Sequence, residues 1–283
     1  MNRRTVITGL GTISAVGRGL DRLWEACLTG ETGIGIIQRF DASEYKVQLG
    51  AEVDIDFDAG DRIDPKFMKR ADPFARYACW TADLAIENAK LAIDESNRER
   101  VGVLIGSGIG GMATWEEQFI RLMERGPNRV SPFLIPMMII DMASGMVSML
   151  TGAMGPNSAA VTACASGAHA IAHASDIIKL GRADVMITGG TEAGISMSAL
   201  AGFCSAQALS TRNDDPEHAC RPFDRSRDGF VMGDGATCMV IEELEHALER
   251  GAPILAEIAG IGMSGDAHHF TEPCPDGRGS GSA

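Results

Sequence analysis

Val161-Thr162-Ala163-Cys164-Ala165-Ser166-Gly167-Ala168-His169 joins two different patterns. The apolar run at 158–163 reads as a buried strand. The alanine-rich stretch 166–180 reads as a helix, and Gly181 is placed to end it. A cysteine at that junction is presented at a helix N-terminus, where unpaired N–H groups and the helix dipole favour a thiolate. Its small neighbours let a carbonyl group approach the sulfur. This is the design of a nucleophile elbow, built with sulfur in place of a serine oxygen. Buried free cysteines are common and usually inert. The local pattern alone leaves both readings open.

The bulk properties narrow the classes. The chain has 283 residues, room for one large α/β domain or two small ones. It is 45% hydrophobic and 22% charged, within the globular range. Its net charge of −13 argues against a nucleic-acid partner, which would want a basic surface. The cysteines, at 27, 79, 164, 204, 220, 238 and 274, are odd in number and lack C-x-x-C or zinc spacing. A reducing, cytoplasmic setting without a metal follows. No apolar stretch is long enough to span a membrane. Arg3-Arg4 followed by 5–16 superficially resembles a signal peptide. Gly9, Gly11, Gly17 and Gly19 break any such helix, so a first strand entering a turn is the better reading.

Outward from the elbow, strand-like and helix-like segments alternate. Residues 5–8 read as a strand. Residues 20–28 read as a short helix with Leu20, Leu23, Trp24 and Cys27 on one face. Residues 39–60 are polar and mixed. A long helix is expected over 72–93, a buried strand over 101–105, a tight turn over 106–111, and then a helix to Arg125. Residues 137–150 read as a methionine-rich helix. Strands follow at 184–188 and 237–242, a helix at 243–250 and a strand at 254–261. Alternation of this kind predicts an α/β fold with a largely parallel sheet covered on both faces. Residues 275–283 read as a flexible loop.

Several smaller patterns have plain readings. Gly9-Leu10-Gly11 after a strand is a weak dinucleotide fingerprint, and a structural turn is preferred. His169 and His173 stand four apart on the elbow helix, but a third metal ligand is not evident, so polar packing is expected. Met137, Met138, Met142, Met146, Met149 and Met154 are assigned mostly to the core over a lipid-accepting surface.

Four segments in order carry a family resemblance. They are Val6-Ile7-Thr8-Gly9-Leu10-Gly11, the cysteine elbow, Asp184-Val185-Met186-Ile187-Thr188-Gly189-Gly190-Thr191-Glu192, and the run from Ala208-Leu209-Ser210-Thr211-Arg212-Asn213-Asp214 through Arg221-Pro222-Phe223-Asp224 to Arg227-Asp228-Gly229-Phe230-Val231-Met232-Gly233-Asp234-Gly235-Ala236. Together they resemble the type II β-ketoacyl-acyl-carrier-protein synthases, the elongating condensing enzymes with a thiolase-like layered fold. The resemblance implies an α/β chain holding the first βα half, at 1–250, plus the start of the second, at 251–283, cut within a loop. It implies that Cys164 takes an acyl chain as a thioester, without a cofactor or metal, for condensation with malonyl carrier protein. Ile109, Phe133, Phe203 and Thr271 match substrate-contact positions. Phe133, in Ser131-Pro132-Phe133-Leu134, matches a segment at the family's homodimer interface.

The family also condenses with two histidines and a late glycine-rich loop. None of His169, His173, His218, His246, His268 and His269 matches those histidines. Lys66, Lys69, Arg70 and Arg76 form one basic group and Arg121, Arg125 and Arg129 a second. Such groups are usually a solvated face. The resemblance points to docking of an acidic acyl carrier protein, with Lys66, Lys69, Arg70, Arg125 and Arg129 as the contacts. Alternatives within the same fold are a polyketide-type ketosynthase and a non-catalytic chain-length partner. The latter usually lacks the cysteine. Thiolases share the cysteine but use coenzyme A, and the segment from Leu209 to Asp214 favours the carrier-protein class.

Overall fold

The computed structural model describes residues 3–54, 57–269 and 271–283. In chain order, β1 (Thr5–Ser14) leads to β2 (Gly17–Arg18) and α1 (Leu20–Thr29). β3 (Gly35–Ile36) and β4 (Leu49–Gly50) pair as a small separate ladder. α2 (Pro65–Met68) and α3 (Pro73–Ala89) precede β5 (Val101–Gly106), α4 (Met112–Arg125), α5 (Leu134–Met138) and α6 (Met142–Thr151). Then come β6 (Asn157–Ala160), α7 (Ser166–Lys179), β7 (Val185–Glu192) and α8 (Met197–Ser205). β8 (Gly235–Glu243), α9 (Leu244–Glu249), β9 (Ala256–Glu257) and α10 (Arg278–Ser282) complete the series.

The main sheet runs β2-β1-β8-β7-β5-β6, with β9 also paired to β1. β5 is parallel to β6 and β7. β8 lies antiparallel between β1 and β7, so Thr5 faces Glu243 and Val185 faces Glu242. The sheet is therefore mixed, not largely parallel. Local alternation of strands and helices carries no record of which distant strand fills the gap.

Period-two alternation sends the strand side chains to two cores. Val101, Val103, Ile105, Val185, Ile187, Cys238 and Val240 pack with α3 and α6 on one face. Leu104, Met186 and Ile241 pack with Ala170, Ala174 and Ile178 of α7 on the other. α3 is buried along most of its length, and its alanines let it sit very close to β1. A Cβ on Gly9 would stand 2.1 Å from the Ala85 carbonyl oxygen, and one on Gly11 would stand 2.1 Å from that of Thr81. These glycines lie inside a strand and not in the turn expected there. Their role is close approach of helix to sheet.

Buried carboxylates fix the ends of elements. Asp72 caps α3 by accepting from Phe74 N, and its other oxygen accepts from Thr114 N at 2.9 Å, tying α3 to the first turn of α4. Glu242 of β8 accepts from Thr8 of β1 and from Arg250, and it pairs with His246 Nδ1 at 2.8 Å. Arg250 also donates to the carbonyls of Ala89 and Lys90, which end α3. Burial alone would raise the Glu242 carboxyl, but Arg250, His246 and Thr8 together hold it down at about 2. The same bond raises His246.

Other expectations change. The run at 158–163 is not a buried strand: β6 stops at Ala160, lies at the sheet edge, and leaves Asn157, Ser158 and Val161 exposed. Only Ala26 of α1 is buried, and Trp24 and Cys27 face outward. The helix at 137–150 is two, because Ile139 is extended between α5 and α6. Of the methionines, Met146 is core, Met137, Met138 and Met142 are half-buried, and Met149 and Met154 are exposed. Pairing at 254–261 is limited to β9, and the expected flexible loop at 275–283 contains α10. No helix among the described residues is long and apolar enough to cross a membrane.

Candidate active site

Cys164 is exposed between β6 and α7, two residues before the first residue of that helix. The chain reaches it through Ala163, whose φ of 50° is left-handed, an arrangement a non-glycine residue adopts only where its surroundings impose it. Ser166 supplies part of that imposition. Its Oγ donates to the Ala163 carbonyl at 2.7 Å and accepts from Thr162 N at 2.8 Å, closing a ring beneath the cysteine. The start of α7 then sits directly on the sheet backbone. A Cβ on Gly106 of β5 would be 2.2 Å from the Ser166 carbonyl oxygen, and one on Gly190 of β7 would be 3.0 Å from Gly167 Cα. The Cys164 thiol makes no hydrogen bond among the described residues.

The turn at 106–111 lies beside the elbow. A Cβ on Gly108 would be 3.3 Å from the Ala163 carbonyl oxygen. Its organiser is Glu192, the last residue of β7. One carboxylate accepts from Ser107 Oγ at 3.0 Å, Gly108 N at 2.6 Å, Ile109 N at 3.2 Å and Gly110 N at 3.3 Å. The Ile109 side chain reaches toward the backbone of Gly194, 3.5 Å from where a Cβ would stand, and Met232 borders the same place.

The other sequence-predicted residues fall into separate neighbourhoods. Phe203 packs edge-on against Phe230, with ring centroids 5.3 Å apart, and borders the small core of Ile195, Leu200, Leu209 and Met232. Phe133 is half-buried, with the Arg70 guanidinium over its ring at 4.2 Å. That contact brings the first basic group, in which Lys66 and Lys69 are exposed, to the segment that follows Arg129. Arg121, Arg125 and Arg129 line one open surface cavity of about 660 Å³. Thr271 is exposed, and its N–H donates to His269 Nδ1; the neighbouring Phe270 lies outside the described residues. None of the hydrogen bonds described links Thr271 to the elbow. A second cavity, of about 230 Å³, is lined by Lys46, Cys204 and Asp228 and does not include Cys164.

His169 and His173 stand 6.3 Å apart between ring centroids, and no cluster of three metal-ligating side chains occurs among the described residues. His218 pairs with Asp215 and His246 with Glu242.

The family model of the N-terminal domain of β-ketoacyl synthases matches residues 2–247. The chain belongs to the β-ketoacyl synthase family. It is 52% identical to the 3-oxoacyl-[acyl-carrier-protein] synthase 2 of Staphylococcus aureus, over 100% of this chain and 68% of that protein. It is 51% identical to the protein of the same name from Synechocystis sp., over 98% of this chain and 67% of that one. Its fold matches the crystal structure of a β-ketoacyl synthase from Burkholderia phymatum with a TM-score of 0.88 and 34% identity, covering 97% of this chain and 67% of that one. The chain thus spans about two thirds of the length of these relatives, and the thiolase-type fold is common to them.

In this β-ketoacyl synthase chain, two groups within quoted motifs were given no role from sequence. One is Glu192, which closes a quoted motif but whose partners lie more than eighty residues earlier. The other is a buried set around Asp234. Asp234 Oδ1 accepts from Ile195 N at 3.1 Å, and Oδ2 lies 2.7 Å from Arg39 Nη1, an ion pair without hydrogen-bond alignment. Burial pushes Asp234 up to about 6 against the opposing pull of Arg39, and burial pushes Tyr77 up to about 12. This set anchors the start of β8 beside Ile195 and Met232. The available signal was an acid inside a glycine-flanked run, Gly233-Asp234-Gly235.

Proposed function

We propose that the chain is the cysteine-bearing part of a 3-oxoacyl-[acyl-carrier-protein] synthase of fatty acid elongation. The Cys164 thiolate attacks the carbonyl carbon of an acyl thioester. The bond to the carrier's sulfur breaks, the carrier leaves as a thiol after taking a proton, and the acyl group stays on Cys164. Decarboxylation of malonyl carrier protein then releases CO2 and gives an enolate whose carbon attacks the Cys164 thioester; the bond to the cysteine sulfur breaks, Cys164 returns as a thiolate, and the ketoacyl chain leaves on the carrier. The observation that carries the reading is an exposed cysteine held by the left-handed Ala163 just ahead of the N-cap of α7. An oxyanion formed at this thioester would need fixed donors, and the N-terminus of α7 is read as one source of them. Ile109 and Phe203 are read as acyl-pocket walls, Phe133 as the partner-side contact, and Thr271 as a channel position. A cofactor has no part in this chemistry.

Carrier docking is assigned to Lys66, Lys69, Arg70, Arg125 and Arg129. In support, Arg70 lies over Phe133, four residues after Arg129 of the arginine-lined cavity, on a chain whose net charge is −13. A homodimer is supported by the open edge of β6 and by exposed Met149, Met154 and Val161 near it. A cytoplasmic setting fits seven free cysteines. The boundary near residue 250 is supported by the end of α9 at Glu249.

The test is transfer of an acyl group from acyl carrier protein, followed by peptide mass mapping. Acyl mass on Cys164, lost in Cys164→Ala, is the expected result. Acylation elsewhere, or none in a folded chain, would overturn the assignment.

A further inference from the structure

We propose that Glu192 is a positioning residue that sets the acyl-chain selectivity of Cys164, a role that rests on the reading of Ile109 as an acyl-pocket wall. Glu192 ends β7, whereas the turn it holds follows β5. The two strands are parallel neighbours, and Gly106 pairs with Gly190, so the side chain of Glu192 emerges beside the turn. It accepts from three consecutive backbone N–H groups, of Gly108, Ile109 and Gly110, and from the Ser107 hydroxyl. Ser107 Oγ in turn accepts from Gly110 N at 3.1 Å. No ion pair of Glu192 occurs among the described residues. Its charge is balanced instead by backbone dipoles, as in an anion-binding nest. Such charge-assisted bonds are about twice as strong as neutral ones and hold the turn in one geometry.

Two ends of that turn matter for chemistry. At Gly108 it abuts the Ala163 carbonyl, immediately before the nucleophile. At Ile109 it aims a branched side chain toward Gly194 and Met232. Gly108 is closely packed: a Cβ there would sit 3.0 Å from Glu192 Oε2, so a larger residue would push on the carboxylate. Glu192 therefore fixes the distance between the elbow and the pocket wall without touching an acyl chain itself. Glu192→Gln keeps the size but presents an amide NH2 to a row of N–H donors, and one oxygen cannot serve all of them. The turn is then free to move Ile109 while the ring of Ser166, Ala163 and Thr162 still holds the cysteine.

The test compares two thiol reagents on the intact chain, with rates at Cys164 read by mass spectrometry. One is iodoacetamide, which needs only an exposed thiol. The other is a long-chain epoxy-amide, which needs the pocket. Glu192→Gln is expected to slow the long-chain reagent about tenfold and iodoacetamide less than twofold, since only bonds to the turn are lost. Ser107→Ala, which removes two of the same bonds, should shift the ratio in the same direction by less. Circular dichroism must match the unsubstituted chain; where Glu192→Gln unfolds, Ser107→Ala decides. Equal slowing of both reagents would mean a structural role only and overturn the inference. So would an unchanged ratio, provided the unsubstituted chain favours the long-chain reagent at Cys164 over Cys27 and Cys220. If it shows no such preference, the acyl-pocket reading fails and the inference falls with it.

Discussion

Gly106 and Ser166 meet backbone to backbone: a Cβ on the glycine would be 2.2 Å from the serine's carbonyl oxygen. Neither group can yield, since one belongs to β5, which is paired on both sides by β7 and β6, and the other starts the elbow helix. Gly106→Ala should cost about 3 kcal/mol or more, at the upper end of overpacking penalties. It should also displace Cys164. Thermal unfolding and the rate of Cys164 alkylation check the two halves of this expectation, and an unchanged melting temperature would refute it.

Cysteine reactivity should divide sharply. Burial raises the Cys79 thiol and pushes Cys238 up to about 12, so both should stay unmodified while the chain is folded. Cys27 and Cys220 are exposed but carry no elbow. A fatty-acyl-like epoxide should label Cys164 first. Peptide mapping over a time course checks this, and equal rates at Cys27 or Cys220 would remove the special status of Cys164.

Lys69→Glu combined with Arg70→Glu should weaken carrier-protein binding about tenfold at low salt, with a smaller effect at high salt. Acylation of Cys164 from a free thioester should change little. Binding measured at two ionic strengths decides the matter: equal affinity for both proteins at low salt would mean an ordinary solvated face.

Condensation by this chain assayed alone is not expected. By family resemblance that step uses two histidines, and here His218 and His246 are engaged with Asp215 and Glu242. Loss of an acid–base group costs about two to four orders of magnitude. Ketoacyl product from acyl and malonyl carrier proteins at an intact synthase's rate would contradict this.

Stability should fall at both pH extremes through one cluster. Glu242 is held at about 2 against an ordinary 4.5, so its contribution is full above pH 4.5 and is lost as pH falls toward 2. His246 is raised above 6.5, so its share is full below that value and is lost as pH rises through the raised one. Glu242→Gln should cost about 3 kcal/mol at neutral pH, because it strands the Arg250 charge. Denaturant melts across pH 3 to 9 should show a flattened profile in that variant.

Much of the elbow was legible in the sequence because its causes are local. Small residues flank Cys164, the helix period runs to Lys179, and Gly181 sits just past it with a φ of 71°. The long helix, the turn at 106–111 and the strand expected at 184–188 were legible for the same reason, although that strand runs on to Glu192. What escaped was set by distant partners. Gly9 and Gly11 looked like turn residues because nothing nearby names α3 as their neighbour. β6 looked buried because Ala159, Ala160 and Val161 are apolar, yet its position at the sheet edge depends on where β5 and β7 pair. Glu192 gave no local sign of its four donors.

The antiparallel β8 sits at the centre of the sheet, but it leaves the ribosome after both of its neighbours, β1 and β7. Until it arrives, β1 and β7 have no common neighbour, and the α3 face of the sheet has a slot where Cys238 and Val240 belong. Residues 5–14, paired locally only with the two residues of β2, must therefore wait for residues 235–243. Such long-range closure is slow and leaves strand edges open to wrong partners. A nascent chain of this family should need protection by chaperones until the segment after Gly233 has emerged, and a mutation that delays β8 should reduce yield before it alters chemistry at Cys164.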